Sequence, residues 1–455
     1  MQEIVPQFHA MHIDLPNRHV AAYFKQLIQV ALKAGDPVQA VRGAVQRKGD
    51  LLVVGTRQYD LSQIPKVVVV GAGKASGHMA KALEGILGKR LNHGLVIVKD
   101  GHGCPTKTVQ VYEARHPVPD RRGVRFTKAM VKLVTALSRD DLVIVVISGG
   151  ASSLLCLPAS GLSLRDKQKT TQLLLHSGAT IHEVNMVRKH LSAIKGGRLA
   201  TSTPAKVLSL ILSDVLDDDL GVVGSGPTVL DTSAREDAVK IIYRYDLWGE
   251  LPDSVQAYFN DRGGTTDSLP PQQRNNKFSV VHNELIGNNR LAVTQVSQKA
   301  KELGFFPEIM SFHQQGEARE VGQQVGAIVK AHLNKGSRKK RPRCLIWGGE
   351  LTVTVKGRGK GGRAQEFALA VASAISGLPQ AWVMGVGTDG TDGPTDVAGA
   401  VVGGETIERA SSLGFHPDKF LEANDSYSFF KKVGGHIITG PTGTNINDLY
   451  IALVF

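Results

Sequence analysis

The sequence predicts an α/β protein of two domains, the first built on a mostly parallel sheet covered by helices on both faces. Three observations carry that expectation. Apolar, β-rich runs recur at 67–70, 94–98, 108–113, 142–147 and 205–212, with helical spacing between them, as at 124–138 and 165–177. Strand–helix alternation of this kind gives a parallel sheet with helical layers on each side. The chain has 455 residues, enough for two cores of ordinary size. Between 231 and 276 the character changes, with Asp231-Thr232-Ser233, Gly263-Gly264-Thr265-Thr266 and Pro270-Pro271. That stretch reads as a linker, which sets the domains at 1–276 and 277–455.

Helical periodicity runs over 19–34 and is interrupted by Gly35-Asp36-Pro37. The first strand of the sheet contains four consecutive valines, 67–70, and leads into Gly71-Ala72-Gly73-Lys74 and a helix from Ala75 to Leu87. Gly71 and Gly73 permit a tight turn, and the helix start directs backbone N–H groups and positive dipole out of it. This is an anion cradle with Lys74 at its mouth, or else a plain strand–helix connection with a surface lysine. It is neither a dinucleotide fingerprint, since Ser76 stands where the third glycine belongs, nor a P-loop, whose spacing is absent.

Ligands of parallel sheets bind beyond the carboxyl ends of the strands, so the loops there matter most. After 142–147 comes Ser148-Gly149-Gly150-Ala151-Ser152-Ser153, and after 205–212 come Ser213-Asp214 and then Gly224-Ser225-Gly226-Pro227-Thr228. The first loop supplies hydroxyl and N–H donors that suit a carboxylate or phosphate; its plainer reading is a flexible turn capped by Ser152. No Gly-x-Ser-x-Gly elbow marks Ser152 as a nucleophile. Lys195-Gly196-Gly197-Arg198 is a basic turn that serves equally as a helix C-terminus. His116, in His116-Pro117-Val118-Pro119-Asp120, reads as structural.

The second block alternates again: strands at 277–282 and 306–310, helices at 288–303 and 317–333, then a basic run at 335–343 taken as a solvated connection. A strand is expected at 347–355, containing Glu350. Lys356-Gly357-Arg358-Gly359-Lys360-Gly361-Gly362-Arg363 follows, a mobile cationic loop suited to polyphosphate or merely a hairpin tip, before a helix at 367–375. Arg363 brings a planar donor fork to the helix start. Strand 381–387 opens into Thr388-Asp389-Gly390-Thr391-Asp392-Gly393-Pro394-Thr395-Asp396, not an EF-hand but compatible with Mg²⁺ shared with nucleotide phosphates, or with a series of Asx turns. Asn445 lies in a last loop of hydroxyls and amides, 439–448, before a terminal apolar strand.

Composition narrows the partners. A formal charge of +13 favours anionic ligands, while aromatic content of 5% and the lack of zinc-finger or stacking motifs argue against nucleic acid. The 3 cysteines lie far apart, which points to a reducing compartment and away from disulfides or structural zinc. No apolar run approaches membrane length and residues 1–17 do not resemble a secretory signal; the cytoplasm is expected, with an organellar presequence left open.

Several stretches together resemble the glycerate 2-kinase family, whose C-terminal part is known as the MOFRL domain. They are Val-Gly-Ala-Gly-Lys-Ala-Ser (70–76), Ile-Ser-Gly-Gly-Ala-Ser-Ser-Leu (147–154), Ser-Asp-Val (213–215), Gly-Ser-Gly-Pro-Thr (224–228), Gly-Gly-Glu-Leu-Thr-Val-Thr-Val (348–355), Gly-Gly-Arg-Ala-Gln-Glu-Phe-Ala-Leu (361–369), Gly-Thr-Asp-Gly-Thr-Asp-Gly-Pro-Thr-Asp (387–396) and Thr-Gly-Pro-Thr-Gly-Thr-Asn (439–445). Their order is the family's, over most of the chain. The resemblance implies a Rossmann-like N-terminal α/β/α domain, a smaller α/β C-terminal domain and a site in the cleft between them. It implies transfer of the γ-phosphoryl group of ATP, with Mg²⁺, to the 2-hydroxyl of D-glycerate, in a monomer or homodimer. Its catalytic lysine matches Lys74 and its catalytic arginine Arg363. Ala364 departs from the asparagine that many relatives carry, which puts a side-chain contact there in doubt. The candidate binding set is Gly71, Gly73, Ser148, Gly149, Gly150, Ser152, Ser153, Lys195, Arg198, Glu350, Thr388 and Asn445, with Asp214 and Asp389 for the metal. The rival readings are a hydroxypyruvate reductase, against which the displaced glycine at 77 speaks, and a non-catalytic binder of nucleotides or sugar acids.

Overall fold

The strand Val67–Ala72 lies inside a six-stranded sheet, between Leu142–Ile147 and Leu91–Lys99 and parallel to both. The structure, a computed structural model, describes residues 11–215, 219–261, 278–334 and 341–455. Its residues fall into two units, 37–286 and 11–36 with 287–455.

In the first unit the strand order is Val281–Gly287, Lys206–Leu212, Leu142–Ile147, Val67–Ala72, Leu91–Lys99, Val109–Ala114. The four valines show why the run is apolar throughout. Val67 and Val69 enter one core, with Met79, Leu83 and Leu87 of the helix Ser76–Leu87. Val68 and Val70 enter the other, with Met130 and Val134 of the helix Arg121–Thr135. A strand covered on both faces has no polar side to show. A separate three-stranded antiparallel sheet, Val45–Lys48, Leu51–Val54 and Arg57–Asp60, flanks the first core. The expected linker is partly helical: Arg235–Arg244 and Asp253–Asn260 bury Ala238, Ile241, Ile242 and Val255 against Leu174, Val184 and Val187. The polar clusters at 231–233 were a helix approach rather than a connector; the remainder of the proposed linker, 262–276, lies outside the described residues.

The second unit has a seven-stranded sheet, in the order His12–Ile13, His436–Ile438, Gly399–Gly403, Ala381–Gly387, Asp448–Val454, Arg343–Gly349, Phe306–Gln314. Only the last two strands run parallel to each other; the other pairs are antiparallel. Period-two burial again separates two cores. Cys344 and Ile346 face the helices Arg18–Ala34 and Asn289–Glu302, while Leu345 and Trp347 face Ala318–Asn334 and Arg363–Ala374. The helix Arg18–Ala34 thus packs with the C-terminal sheet, although the sequence places it in the first domain. Its Phe24, Leu27, Ile28 and Ala31 are buried beside Ala292, Val293 and Val296.

Two expectations in this unit change. The strand ends at Gly349 instead of running to 355: beyond the Glu350 N–H, which still donates to the Gln314 carbonyl of the neighbouring strand (2.9 Å), pairing continues only as an isolated bridge between Thr352 and Glu317. The glycine loop before Arg363 is pinned rather than mobile. The Lys356 and Gly357 N–H groups both donate to the Asn424 side chain (2.8 and 2.9 Å), Gly359 N–H to the Ala423 carbonyl, and Lys360 N–H to Asp425. A Cβ at Gly357 would stand 2.1 Å from the Ala423 carbonyl oxygen, so these glycines serve close backbone approach. Of the basic run at 335–343, residues 335–340 lie outside the described residues.

Candidate active site

In the first unit, the carboxyl ends of Val67–Ala72 and Leu142–Ile147 hold two loops bolted together. The Lys74 N–H donates to the Gly149 carbonyl (2.8 Å) and the Ser148 N–H to the Ala72 carbonyl (3.2 Å). The Ser148 hydroxyl, buried, accepts from the Ala75 N–H (3.0 Å) and lies 3.1 Å from the Ser76 hydroxyl. Gly73 has φ +142°, and a Cβ there would lie 2.1 Å from Ser148 Oγ. Gly71 is as crowded, against the Val146 carbonyl. The glycines therefore let the loops touch, and Ser148, expected as a ligand donor, is the bolt between them. Lys74 is half-buried at this junction. The expected cradle of free N–H groups is not there: those of Gly73, Lys74, Ala75 and Ser76 donate to the Ile97 carbonyl, the Gly149 carbonyl, the Ser148 hydroxyl and the Gly73 carbonyl, because the two loops close on each other, and the turn offers the lysine amine instead.

The members of the expected binding set that belong to this unit lie on this loop and the turns packed on it, whereas Glu350, Thr388 and Asn445 belong to the second unit. A Cβ on Gly149 would meet the Asp214 carboxylate at 2.3 Å, and one on Gly150 would meet the His116 ring at 3.1 Å and Lys74 Cγ at 3.4 Å. Burial, with the Lys74 charge second, pushes the His116 imidazole down to about 4. His116 is thus a neutral wall beside the lysine, in line with a structural part. Ser153 spends its hydroxyl on the Gly150 carbonyl (3.2 Å). Lys195, expected as a basic surface donor, is instead buried, with its amine on the carbonyls of Ser152 (2.7 Å) and Gly224 (3.1 Å). Burial holds its pKa well below the lysine range, with Lys167 and Arg188 adding to the effect. Arg198 binds the carbonyls of Lys189 (3.0 Å) and Lys195 (3.1 Å), bracing the turn that carries Lys195. Ser152 keeps the more open position, half-buried and 2.8 Å from the Ser225 hydroxyl.

The second unit builds a different cluster around Arg363, the first residue of the helix Arg363–Ala374. The helix starts four residues earlier than its apolar periodicity suggests, because Asp392 caps it. That buried carboxylate accepts from the N–H groups of Ala364 (3.0 Å) and Gln365 (2.9 Å) and from the Gln365 side chain (2.9 Å). Arg363 donates Nε to Asp448 Oδ2 (2.5 Å), Nη2 to Asp448 Oδ1 (3.1 Å) and Nη1 to Glu350 Oε1 (2.5 Å). Burial works against the guanidinium charge, but Asp448 and then Glu350 override it and move its pKa upward. Burial pushes Asp448 up to about 7, against the pull of Arg363. Asn447, at φ +66°, donates to Glu350 Oε2 (2.9 Å), and Tyr450 donates to Asp448 (3.0 Å).

Thr388, buried, donates to the Asn447 carbonyl (2.6 Å) and accepts from the Ile446 N–H, so it fixes the loop that positions Asn447 and Asp448. Asn445 is half-buried and its Oδ1 accepts from the Asn447 N–H (3.4 Å). Asp389 accepts from the N–H (3.0 Å) and hydroxyl (3.1 Å) of Thr391, an Asx turn. Sequence reasoning passed over Asp448 and Asp392 as site members. The signal for Asp448 was present: it is the one charge in the otherwise apolar strand Asp448–Val454.

Among the described residues, no three His, Cys, Asp or Glu side chains converge as a metal cage. Asp214, against the Gly149 backbone, and Asp389 are single carboxylates on different units. Either carboxylate alone is compatible with Mg²⁺, which usually takes one or two carboxylates and completes its shell with substrate phosphates and water.

Residues 23–260 match the family described as "Domain of unknown function (DUF4147)", and residues 343–448 match the MOFRL family. The chain is 41% identical over 432 residues to a glycerate 2-kinase of Pyrococcus horikoshii, across 94% of this chain and 96% of that protein. It is 44% identical over 393 residues to a D-glycerate 2-kinase of Thermotoga maritima, across 86% and 91% of the two. The crystal structure of a glycerate kinase from Thermotoga maritima superposes with a TM-score of 0.85 at 40% identity, covering 96% of this chain and 100% of that one. With both family matches in place and relatives this similar over nearly their whole length, the chain belongs to the glycerate 2-kinase family.

Proposed function

We propose that this protein transfers the γ-phosphoryl group of ATP to the 2-hydroxyl of D-glycerate, giving 2-phosphoglycerate. The reading is carried by its likeness, over most of the chain, to relatives named glycerate 2-kinase. The local geometry supports it. Phosphoryl transfer asks a protein to position groups and stabilise charge rather than to form covalent bonds. Lys74, half-buried beside the start of the helix Ser76–Leu87, provides a cation for a phosphate. Arg363 provides a second cation whose fork is held rigidly by Asp448 and Glu350. In this reading both act on the transferring group, with Lys74 and Arg363 as its catalytic residues. Asp214 would hold Mg²⁺, which would neutralise phosphate charge; Asp389, whose Oδ1 is engaged by Thr391, would contribute its other oxygen or orient the loop.

The test is incubation with ATP, Mg²⁺ and D-glycerate, coupled directly to enolase. Enolase dehydrates 2-phosphoglycerate and not the 3-phospho isomer, so phosphoenolpyruvate should form without any mutase. ADP release without phosphoenolpyruvate would move the transfer to another hydroxyl. A parallel cuvette with hydroxypyruvate and NAD(P)H should show no oxidation, and ATP binding without ADP release would favour the non-catalytic binder.

A further inference from the structure

The helix Ile181–His190 presents one side chain that the machinery above does not use. Arg188 is half-buried, and among the described residues its guanidinium has no hydrogen-bonding or ion-pairing partner. Its neighbours on the chain are all engaged. Lys189 pairs with Asp231 at 3.5 Å, about 100° further round the helix. Asn185, one turn earlier and on the same face as Arg188, accepts from the Ser225 hydroxyl (3.4 Å). Ser225 in turn lies 2.8 Å from Ser152 Oγ, on the loop beside Lys74. Ser225 holds φ +62°, between Gly224 at +61° and Gly226 at +61°. Ser225 is fully buried, so its hydroxyl serves to tie the helix Ile181–His190 to the Ser152 loop.

Among the described residues, no carboxylate pairs with Arg188, and two lysines lie within reach of its charge. Lys167 and Lys195 are both buried, and their amines are satisfied by carbonyl oxygens, with Ser152 Oγ at 3.5 Å as a further neighbour of Lys195. Lys167 binds the Arg188 carbonyl itself (3.4 Å), and Lys195 binds the Ser152 carbonyl. Burial depresses both lysines, and each also feels the Arg188 charge. A half-buried guanidinium near two such amines, with no acid paired to it among the described residues, is suited to an anion from solution. Polyphosphate is already offered the Lys74 amine in the reading above. A planar fork matches a carboxylate instead.

Resting on the reading given under Proposed function, we propose that Arg188 binds the carboxylate of the 2-hydroxy acid. This assigns Arg188 to recognition of the acceptor and not to the phosphoryl group.

The experiment compares wild type, Arg188→Gln and Arg188→Lys by steady-state kinetics and by calorimetric titration with D-glycerate and its uncharged amide, glyceramide. Arg188→Gln should raise KM for D-glycerate about 100-fold or more, with KM for ATP changed by no more than about 2-fold. Wild type should prefer D-glycerate to glyceramide, and the glutamine variant should lose that preference. Arg188→Lys keeps the cation and the stem but not the fork, so a rise of about 10-fold is expected; it carries the test should the glutamine variant fail to fold. An unchanged KM for D-glycerate in an active variant overturns the assignment, as does a rise confined to KM for ATP. Wild type that binds D-glycerate in an Arg188-dependent way but releases no ADP would overturn the kinase reading and uphold the carboxylate site. Wild type that does not bind D-glycerate overturns both.

Discussion

Arg363 lies against Asp448, with Nε 2.5 Å from one carboxylate oxygen and Nη2 3.1 Å from the other, while Glu350 takes its remaining edge. Asp448 is 3% exposed and Arg363 35% by side chain, so the pair has a buried end and an open one. Such an arrangement fixes the guanidinium in direction and keeps it charged.

The pair has a pH signature. Burial lifts Asp448 to about 7, so the folded protein binds a proton there that the unfolded chain has released above its ordinary value near 4. The folded state holds more protons across that interval, and stability therefore falls as pH rises from about 4 to about 7. Below it the group is protonated in both states and the contribution is constant. Asp448→Asn should flatten this segment, so its stability relative to wild type should improve with rising pH. Urea denaturation from pH 5 to 8 checks this; curves that stay parallel would contradict it.

Lys74→Ala and Arg363→Ala should each lower kcat by about 100-fold or more, with smaller changes in KM for ATP. Because both are assigned to one migrating group, the double variant should lose much less than the product of the two factors. Losses that multiply in full would mean that the two cations act in separate steps.

Asp392→Ala removes the cap from the helix that begins with Arg363, stranding the N–H groups of Ala364 and Gln365. A loss of about 1–3 kcal/mol in unfolding free energy is expected. Activity should fall beyond what the lost stability explains, since Arg363 is the next residue out. Denaturation midpoints and kcat, measured well below the melting temperature, separate the two effects.

Gly149→Ala places a methyl group where Asp214 now stands, 2.3 Å from its carboxylate oxygen. The carboxylate must swing away. If Asp214 holds Mg²⁺, the Mg²⁺ concentration for half-maximal rate should rise by about 10-fold or more. A variant with wild-type Mg²⁺ dependence would remove Asp214 from the metal site.

Much of the architecture was written into periodicity. The valines 67–70 announced a strand covered on both faces, and both cores claim them alternately. The glycines at 71, 73 and 149 marked places where backbone must approach backbone, because a missing Cβ is a local property of the residue. What each polar side chain does there was a different matter. Ser148 and Lys195 had the right chemistry to grip a ligand, yet one bolts two loops and the other ties Ser152 to Gly224. A hydroxyl or amine takes whichever partner comes first within reach, and only the folded chain says which that is. The charges that neutralise Arg363 come from positions 350 and 448, and the helix Arg18–Ala34 packs on strands more than 300 residues later. Composition and spacing marked most strands of the first sheet and the glycine turns that follow them. Tertiary packing decided which charges meet, because burial and partnership are properties of places that distant segments make together.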